Sequence, residues 1–425
     1  MRGWSHRFGS RLATAVEGVV MHMKLPFCTV AILALAQAVL TGPSAAGAPP
    51  AVAYQMDAAH DGNVTFKKGF SPPLTRLWMR DLGHATSYPL IVNGMIFVTK
   101  AANHVTGTVL VALDEKTGET VWEAEVPGEY YWSAAAYDKG RIFVLTFNGV
   151  LNAFTADRTG TLLWSVQMPN QFDFTSPPTA YKGTVFVGGA GVGGTLYAVD
   201  ESTGAIEWTS SVENGEESSP AVGENGVYVT YPCQYYKFDP TSGRQIWDTS
   251  GSCEGGGGST PVYFQDRVLA RDLVGGLDIL DANTGRITAI ASAVYAPAAY
   301  TDAQGVSYLF ALVKGGQLQG CSLDTGDVLW TFSAKNLVTA PIVVNGMVIE
   351  GAKNGDLYFL DPKTGAELWT TNIGAHISAP NENTVYQPLT GLGAGENMLV
   401  IPAGGTIVAY AATDGASDAA ALSRP

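Results

Sequence analysis

From residue 74 onwards the chain is built of short apolar runs broken by tight polar turns. Runs such as GTLYAVD (194–200), GGLDILD (275–281) and GDLYFLD (355–361) alternate or are almost continuously apolar, with aromatics interspersed. That is the pattern of half-buried or buried strands. A turn follows each run, and then a second strand that carries Trp. The clearest copy is DEKTGETVW, from Asp114 to Trp122, with Gly118 four residues before the indole. The turn Asp can accept backbone N–H groups, and the Gly tolerates a positive φ. Upstream of each such hairpin lies another strand pair, as in 176–189 and 340–351. Helix-period apolar patterns are nearly absent after residue 50.

The hairpin recurs. Trp stands at 78, 122, 164, 208, 247, 330 and 369, and Ala289 occupies one further Trp position. The steps are 44, 42, 44, 39, 42, 41 and 39 residues. The turns include Asp200 with Gly204, Asp239 with Gly243, Asp281 with Gly285, and Asp361 with Gly365. A fixed period of this length signals a repeat architecture. Four antiparallel strands per unit make a propeller blade, and a large indole at one place per unit suits packing between blades. Trp78 has the strand without the turn, and Gly405–Gly415 has the turn without a Trp. Joined, they complete an eighth copy. The expectation is an all-β, eight-bladed propeller over 74–415, its ring closed by the N-terminal strand so that no edge stays open. A tail, 416–425, follows. A monomer is expected.

The first 46 residues read differently. Lys24 precedes an uncharged apolar stretch, 25–40, and small residues follow it. That order is a secretory signal. The apolar run falls short of the roughly 20 residues of a spanning helix, so no transmembrane span is expected after cleavage near Ala46. Cys28 lacks the small residues that a lipoprotein site wants before it. Met21 or Met23 could serve as the start. The protein is expected to be exported, to the periplasm or beyond. Residues 47–73 read as a polar lead-in, with His60, Asp61 and Asn63 as ordinary surface-loop residues.

Charge removes some functions. The chain has 24 basic and 38 acidic residues, a net of −14, without a basic run. The leader holds Arg2, Arg7, Arg11 and Lys24 against Glu17, so its loss leaves a more acidic protein. Nucleic acid and anionic lipid are not expected partners. Cys233 opens a strand and Cys253 lies just past the strand that should pair with it. Export and that geometry predict a disulfide. Cys321 aligns with core positions and is expected to be a buried thiol.

In a propeller, the loops from one blade's outer strand to the next blade's inner strand gather at one mouth of the funnel. Those loops hold His84; Tyr130, Tyr131 and Trp132; Phe172 and Asp173; Glu217; Glu254; Lys335; and His376. The three consecutive aromatics suit a protein-binding surface, a stacking platform for a planar or carbohydrate ligand, or a plug of the channel. The acids are hard-cation donors in type, but solvated loop charges account for them, and no metal site is expected. The run 255–258 is not a phosphate loop, since no Lys-Ser/Thr and no helix follow. No catalytic motif stands out.

The repeats resemble the pyrroloquinoline quinone (PQQ)-like propeller repeat, whose signature is an apolar strand, Asp-x-x-Thr-Gly, and Trp four residues on. The resemblance covers 74–415. It is similar overall to the PQQ-binding-like repeat proteins, of which BamB, the outer-membrane assembly factor, is an eight-bladed member. That branch implies a non-catalytic scaffold, though usually a lipoprotein. The quinoprotein dehydrogenase branch would imply PQQ with calcium in the funnel, beside a vicinal disulfide. This chain has no adjacent cysteines and no Cys-x-x-Cys-His haem site. The expected function is therefore a binding or scaffold module requiring no cofactor, with a PQQ-dependent dehydrogenase as the alternative.

Overall fold

A computed structural model describes residues 48–412, apart from 68, 104–105, 131–133, 232–233, 252–257, 273 and 383–385. Eight antiparallel four-stranded sheets form the blades of a propeller ring. Blade 1 comprises Leu90–Val92, Met95–Ala101, Thr106–Asp114 and Thr120–Glu129, from channel to rim. The innermost strands of blades 2 to 8 are Ala135–Asp138, Thr179–Tyr181, Ala221–Gly223, Val262–Phe264, Ala298–Thr301, Ile342–Val344 and Gly393–Gly395. Among the described residues, helix is confined to one 3-10 turn, Tyr54–Met56.

Burial explains the two kinds of strand sequence. The second strand of blade 4, Gly226–Tyr231, is buried at every position, because neighbouring blades cover both its faces. Outer strands such as Gln245–Ser250 show the period-two alternation of a one-sided surface. The ring closes in blade 8, where Leu74–Asp81 pairs antiparallel with Thr406–Ala412, placing Trp78 opposite Ala409. The N-terminal strand thus supplies the rim of the last blade and pairs the edge that Thr406–Ala412 would otherwise leave open.

Each Trp is a plug and the next blade's turn is its socket. Trp78 Nε1 donates to the Glu115 carbonyl at 2.8 Å. The same bond joins Trp122 to Asp157, Trp164 to Glu201, Trp208 to Pro240, Trp247 to Ala282 and Trp330 to Pro362. The turn Gly is needed twice over. Its φ is positive, +69° at Gly365. A Cβ there would also meet Trp330 Cε3 at 2.5 Å. The turn is held by its Asp: Asp361 Oδ1 accepts from Lys363 N, Thr364 N and Thr364 Oγ1. Asp114, Asp200, Asp239 and Asp281 act alike. Where Ala289 replaces Trp, the Ile290 carbonyl sits where a Gly326 Cβ would be. Trp369 packs on Phe359 at 4.9 Å, and the turn that follows Thr406–Ala412 in the closure blade lies outside the described residues.

The lead-in is not a surface loop. Residues 49–64 lie in the channel and touch the innermost strand of every blade. The carbonyl of Pro49 accepts from Glu396 N in blade 8, and Ala51 exchanges two bonds with Ile91 in blade 1. Val52, Ala58, Ala59 and Asp61 carbonyls accept from Tyr137, Val222, Tyr263 and Ala299 in blades 2, 4, 5 and 6. Gly62 and Val64 serve Val343 and Asn345, so that Asn63–Val64 adds a parallel strand to blade 7. His60 Nε2 lies 3.3 Å from Thr179 Oγ1 of blade 3. An innermost strand presents unpaired N–H groups to the channel, and buried donors must be satisfied. The lead-in does this, which explains why Tyr54, Gln55, Met56 and His60 are almost wholly buried. Burial pushes the His60 imidazole down to about 4.

Cys233 and Cys253 lie outside the described residues. Their described neighbours, Gln234 and Ser250, are register partners. Cys321 is buried and free.

Candidate functional site

The loops that follow the outer strands gather at one mouth of the channel, as the blade order requires. Four of the residues singled out there, Tyr130, Phe172, Asp173 and Glu217, have a definite setting. Tyr130 adopts φ +63°. Its ring packs edge-on against Phe147, at 4.6 Å, and against Tyr386, at 5.9 Å. Phe172 is 63% exposed and Tyr386 is 66% exposed. Phe172 lies over Gly191, where a Cβ would meet its ring at 2.6 Å. Asp173 is bridged through its backbone to Ala190, and burial raises its carboxyl above the usual range. Glu216 is raised by burial and then by the charge of Asp173. Glu217, at φ +61°, donates its N–H to Thr175 Oγ1 at 3.0 Å.

The others are more scattered. Lys335 is exposed at its loop, His84 is half-buried against Gly405, and His376 is exposed at the cavity described next. Tyr131, Trp132 and Glu254 lie outside the described residues.

A cavity of about 550 Å³ opens beneath the mouth, on the side of blades 5 to 8. Its walls include Ser259, Arg271, Tyr295, Lys353, His376 and Glu382. The long connection 373–392, between blades 7 and 8, roofs it. Glu382 of that connection reaches blade 5, where Oε1 takes a bond from Arg271 Nη2 at 2.5 Å and Oε2 one from Thr260 N at 2.6 Å. Both side chains are buried, at 5% and 8% exposure. Arg271 Nη1 also donates to the Val294 carbonyl. Further on, Tyr386 meets Tyr130, and the Leu389 carbonyl accepts from Tyr88 N at the entrance to blade 1. The connection therefore runs across the mouth and is pinned near three of its sides.

Below the cavity lies the channel segment. Tyr54 sits within electrostatic reach of Glu382, Arg271 and Tyr295. Gln55 donates through Nε2 to the carbonyls of Ala296 and Pro341, which holds its left-handed backbone in place. Glu350 is fully buried beside Tyr295, and Thr339 donates to its Oε1 from both N and Oγ1. Burial without a cation raises the Glu350 carboxyl to about 8, so it is mostly protonated at neutral pH. Sequence reading missed Arg271, Glu382, Tyr386 and Glu350. The one signal available was the length of the segment between Trp369 and the next apolar run, which exceeds an ordinary blade connection.

Among the described residues no group of three or more His, Cys, Asp or Glu is placed to hold a metal ion, and no helix is long and apolar enough to cross a membrane. PQQ, the cofactor that the fold family raises, is a planar tricarboxylic quinone used with calcium. It would need cations for its carboxylates and several oxygen donors for the metal. Arg271 is already committed to Glu382. Lys353 is the other Lys or Arg in the wall, but the described residues gather no acidic cluster to fit the calcium that accompanies the quinone.

A family model described as outer membrane protein assembly factor BamB matches residues 70–191, 106–247, 147–303, 234–375 and 304–425. A quinone-dependent alcohol dehydrogenase subunit of Gluconobacter oxydans is 27% identical over 69% of this chain, which spans 41% of that subunit's length. BamB of Shewanella oneidensis is 25% identical, over 65% of this chain and 74% of its own. The crystal structure of BamB from Moraxella catarrhalis shares the fold, with TM-score 0.60 and 17% identity over 80% of this chain and 99% of its own. With the family match running from residue 70 to the end and the eight PQQ-like blades in place, this chain belongs to the BamB-like family of PQQ-repeat propellers.

Proposed function

We propose that this protein is an exported scaffold that captures a protein partner at the funnel mouth, after loss of residues 1–46 as a leader. The observation that carries this reading is the exposure of large rings on the mouth loops, with Phe172 at 63% and Tyr386 at 66% and Tyr130 packed between Phe147 and Tyr386. Exposed rings held by a rigid frame are what hot spots of interfaces are made of. The connection pinned through Glu382 and the channel segment 49–64 occupy much of the interior. A display surface needs no route inward. Tyr131 and Trp132 belong to the same loop and would extend the surface. Asp173, Glu217, Glu254, Lys335, His84 and His376 would form its polar rim. The BamB relative, named as an assembly factor, supports a protein partner.

The second reading is a PQQ-dependent dehydrogenase, favoured by identity to the alcohol dehydrogenase subunit. Titration of the exported protein with PQQ and calcium separates the two. The scaffold reading expects no saturable change in quinone absorbance and no dye reduction with alcohols or sugars. Saturable binding with turnover would overturn it.

A further inference from the structure

The far end of the channel holds a second cavity that the mouth does not share. It has a volume of about 620 Å³ and lies among the inner hairpin turns of blades 2 to 4 and the inner strand of blade 5. Its walls include the half-buried rings of Tyr137, Tyr181 and Tyr263. Its floor is the channel segment, with Val52, Ala58 and the carboxylate of Asp57.

Asp57 is the unusual member. Oδ1 accepts from Ala59 N at 3.0 Å and from Asp61 N at 3.3 Å, which fixes the group in position. No hydrogen bond among the described residues engages Oδ2, and none of the ion pairs there includes Asp57. The two lysines at the cavity rim pair with other acids, and Lys182 Nζ also lies 5.2 Å from the centroid of the Tyr181 ring. Lys182 bonds Glu224 at 2.6 Å, and Lys139 lies 3.8 Å from Glu201. Burial raises the Asp57 carboxyl above its usual range, opposed by the backbone N–H groups of Asp61, Ala59 and His60. Neighbouring Asp61 is raised by burial and then by the Asp57 charge, so the pair carries one charge more readily than two. Asp57, partly open to solvent, thus places a carboxyl in the lining of an aromatic and aliphatic chamber.

We propose that this cavity binds a small organic ammonium compound, its charge against Asp57 and its apolar body against Tyr137, Tyr181 and Tyr263. The chemistry is that of aromatic cages. A soft cation is attracted to the faces of tyrosine rings and loses little by leaving water. A carboxylate that is desolvated anyway gains more from such a partner than an exposed one does. The cavity size suits a small ligand rather than a protein segment. The protein would thus have a small-molecule site at the end opposite its partner surface.

The test is calorimetric titration of the full exported chain with choline and with its uncharged isostere, 3,3-dimethylbutan-1-ol. Choline should bind saturably, and the neutral alcohol at least about tenfold more weakly. Asp57→Asn keeps the Oδ1 acceptor and should erase the preference for charge. Tyr181→Leu should weaken choline, while Tyr181→Phe, which keeps a ring, should retain it. Phe172→Ala, at the other end, should change nothing, which separates this site from the mouth. Equal binding of choline and the alcohol, no saturable choline heat in the unaltered protein, or undiminished choline binding in Tyr181→Leu would each overturn the proposal. The tyrosine pair decides the matter even if Asp57→Asn folds poorly.

Discussion

If the turn Gly exists to receive the preceding blade's Trp, then Gly365 and Trp330 must be coupled. Trp330 is 8% exposed, donates to Pro362 at 2.9 Å and stacks on Phe310 at 5.8 Å. Truncating it to Ala should cost about 3–5 kcal/mol, as for other buried aromatics. Gly365→Ala carries two costs. A Cβ at φ +69° is strained by about 1–2 kcal/mol. It also lands 2.5 Å from Trp330 Cε3, an overpacking of about 1–3 kcal/mol. Only the second cost depends on the indole. In the Trp330→Ala background, Gly365→Ala should therefore cost only the backbone strain. The double variant should be more stable than the sum of the singles by about 1–3 kcal/mol. Equilibrium denaturation in urea, followed by far-UV circular dichroism at constant m-value, measures all four corners. Additivity within about 0.5 kcal/mol would refute the plug-and-socket account.

Other outcomes follow from the same geometry. Glu382→Ala leaves Arg271 buried and unpaired, a loss of about 3–5 kcal/mol if the connection stays closed. The connection 373–392 should instead release, and limited proteolysis should cut there first; unchanged cleavage would count against the roof. Glu350 has its carboxyl raised from 4.5 to about 8, so the folded state binds the proton more tightly than the unfolded one. Its contribution is fully present below pH 4.5 and is lost as pH rises to about 8, with a slope approaching about 1.4 kcal/mol per pH unit. Glu350→Gln should flatten that slope in stability curves taken across the window. Non-reducing peptide mapping of exported protein should find Cys233 joined to Cys253, a bridge worth about 3 kcal/mol for so short a loop. Cys321 in a bridge with either would contradict the blade register.

The blades were legible because their physics is local and repeated. Apolar runs, Asp-x-x-Thr-Gly and Trp recur at one spacing, and the ring follows from the two fragments at Trp78 and Gly405. What the turn Gly touches was not legible, since the socket joins residues of adjacent blades that no single repeat contains. The lead-in was misread for a related reason. Tyr54 to Val64 carries Asp, His and Asn at the density of a surface loop, yet its backbone carbonyls serve N–H donors left over by the innermost strands. Composition cannot show that a polar segment is buried when its partners are backbone groups from the eight blades. The site was half legible. The loops were placeable from the repeat, but Glu382 finds Arg271 across the mouth, 111 residues away in sequence. No pattern around either residue announces that pairing.

The most direct test of the functional reading is site-specific photo-crosslinking. A photoreactive phenylalanine analogue is placed at Phe172, on the mouth, or at Leu163, an exposed outer-strand residue 45% open to solvent. Irradiation is done in the producing cells. The scaffold account predicts a discrete protein adduct from position 172 that is lost when Tyr130 and Tyr386 are changed to Ala, and none from position 163. No adduct from 172, or the same adduct from both positions, would contradict it.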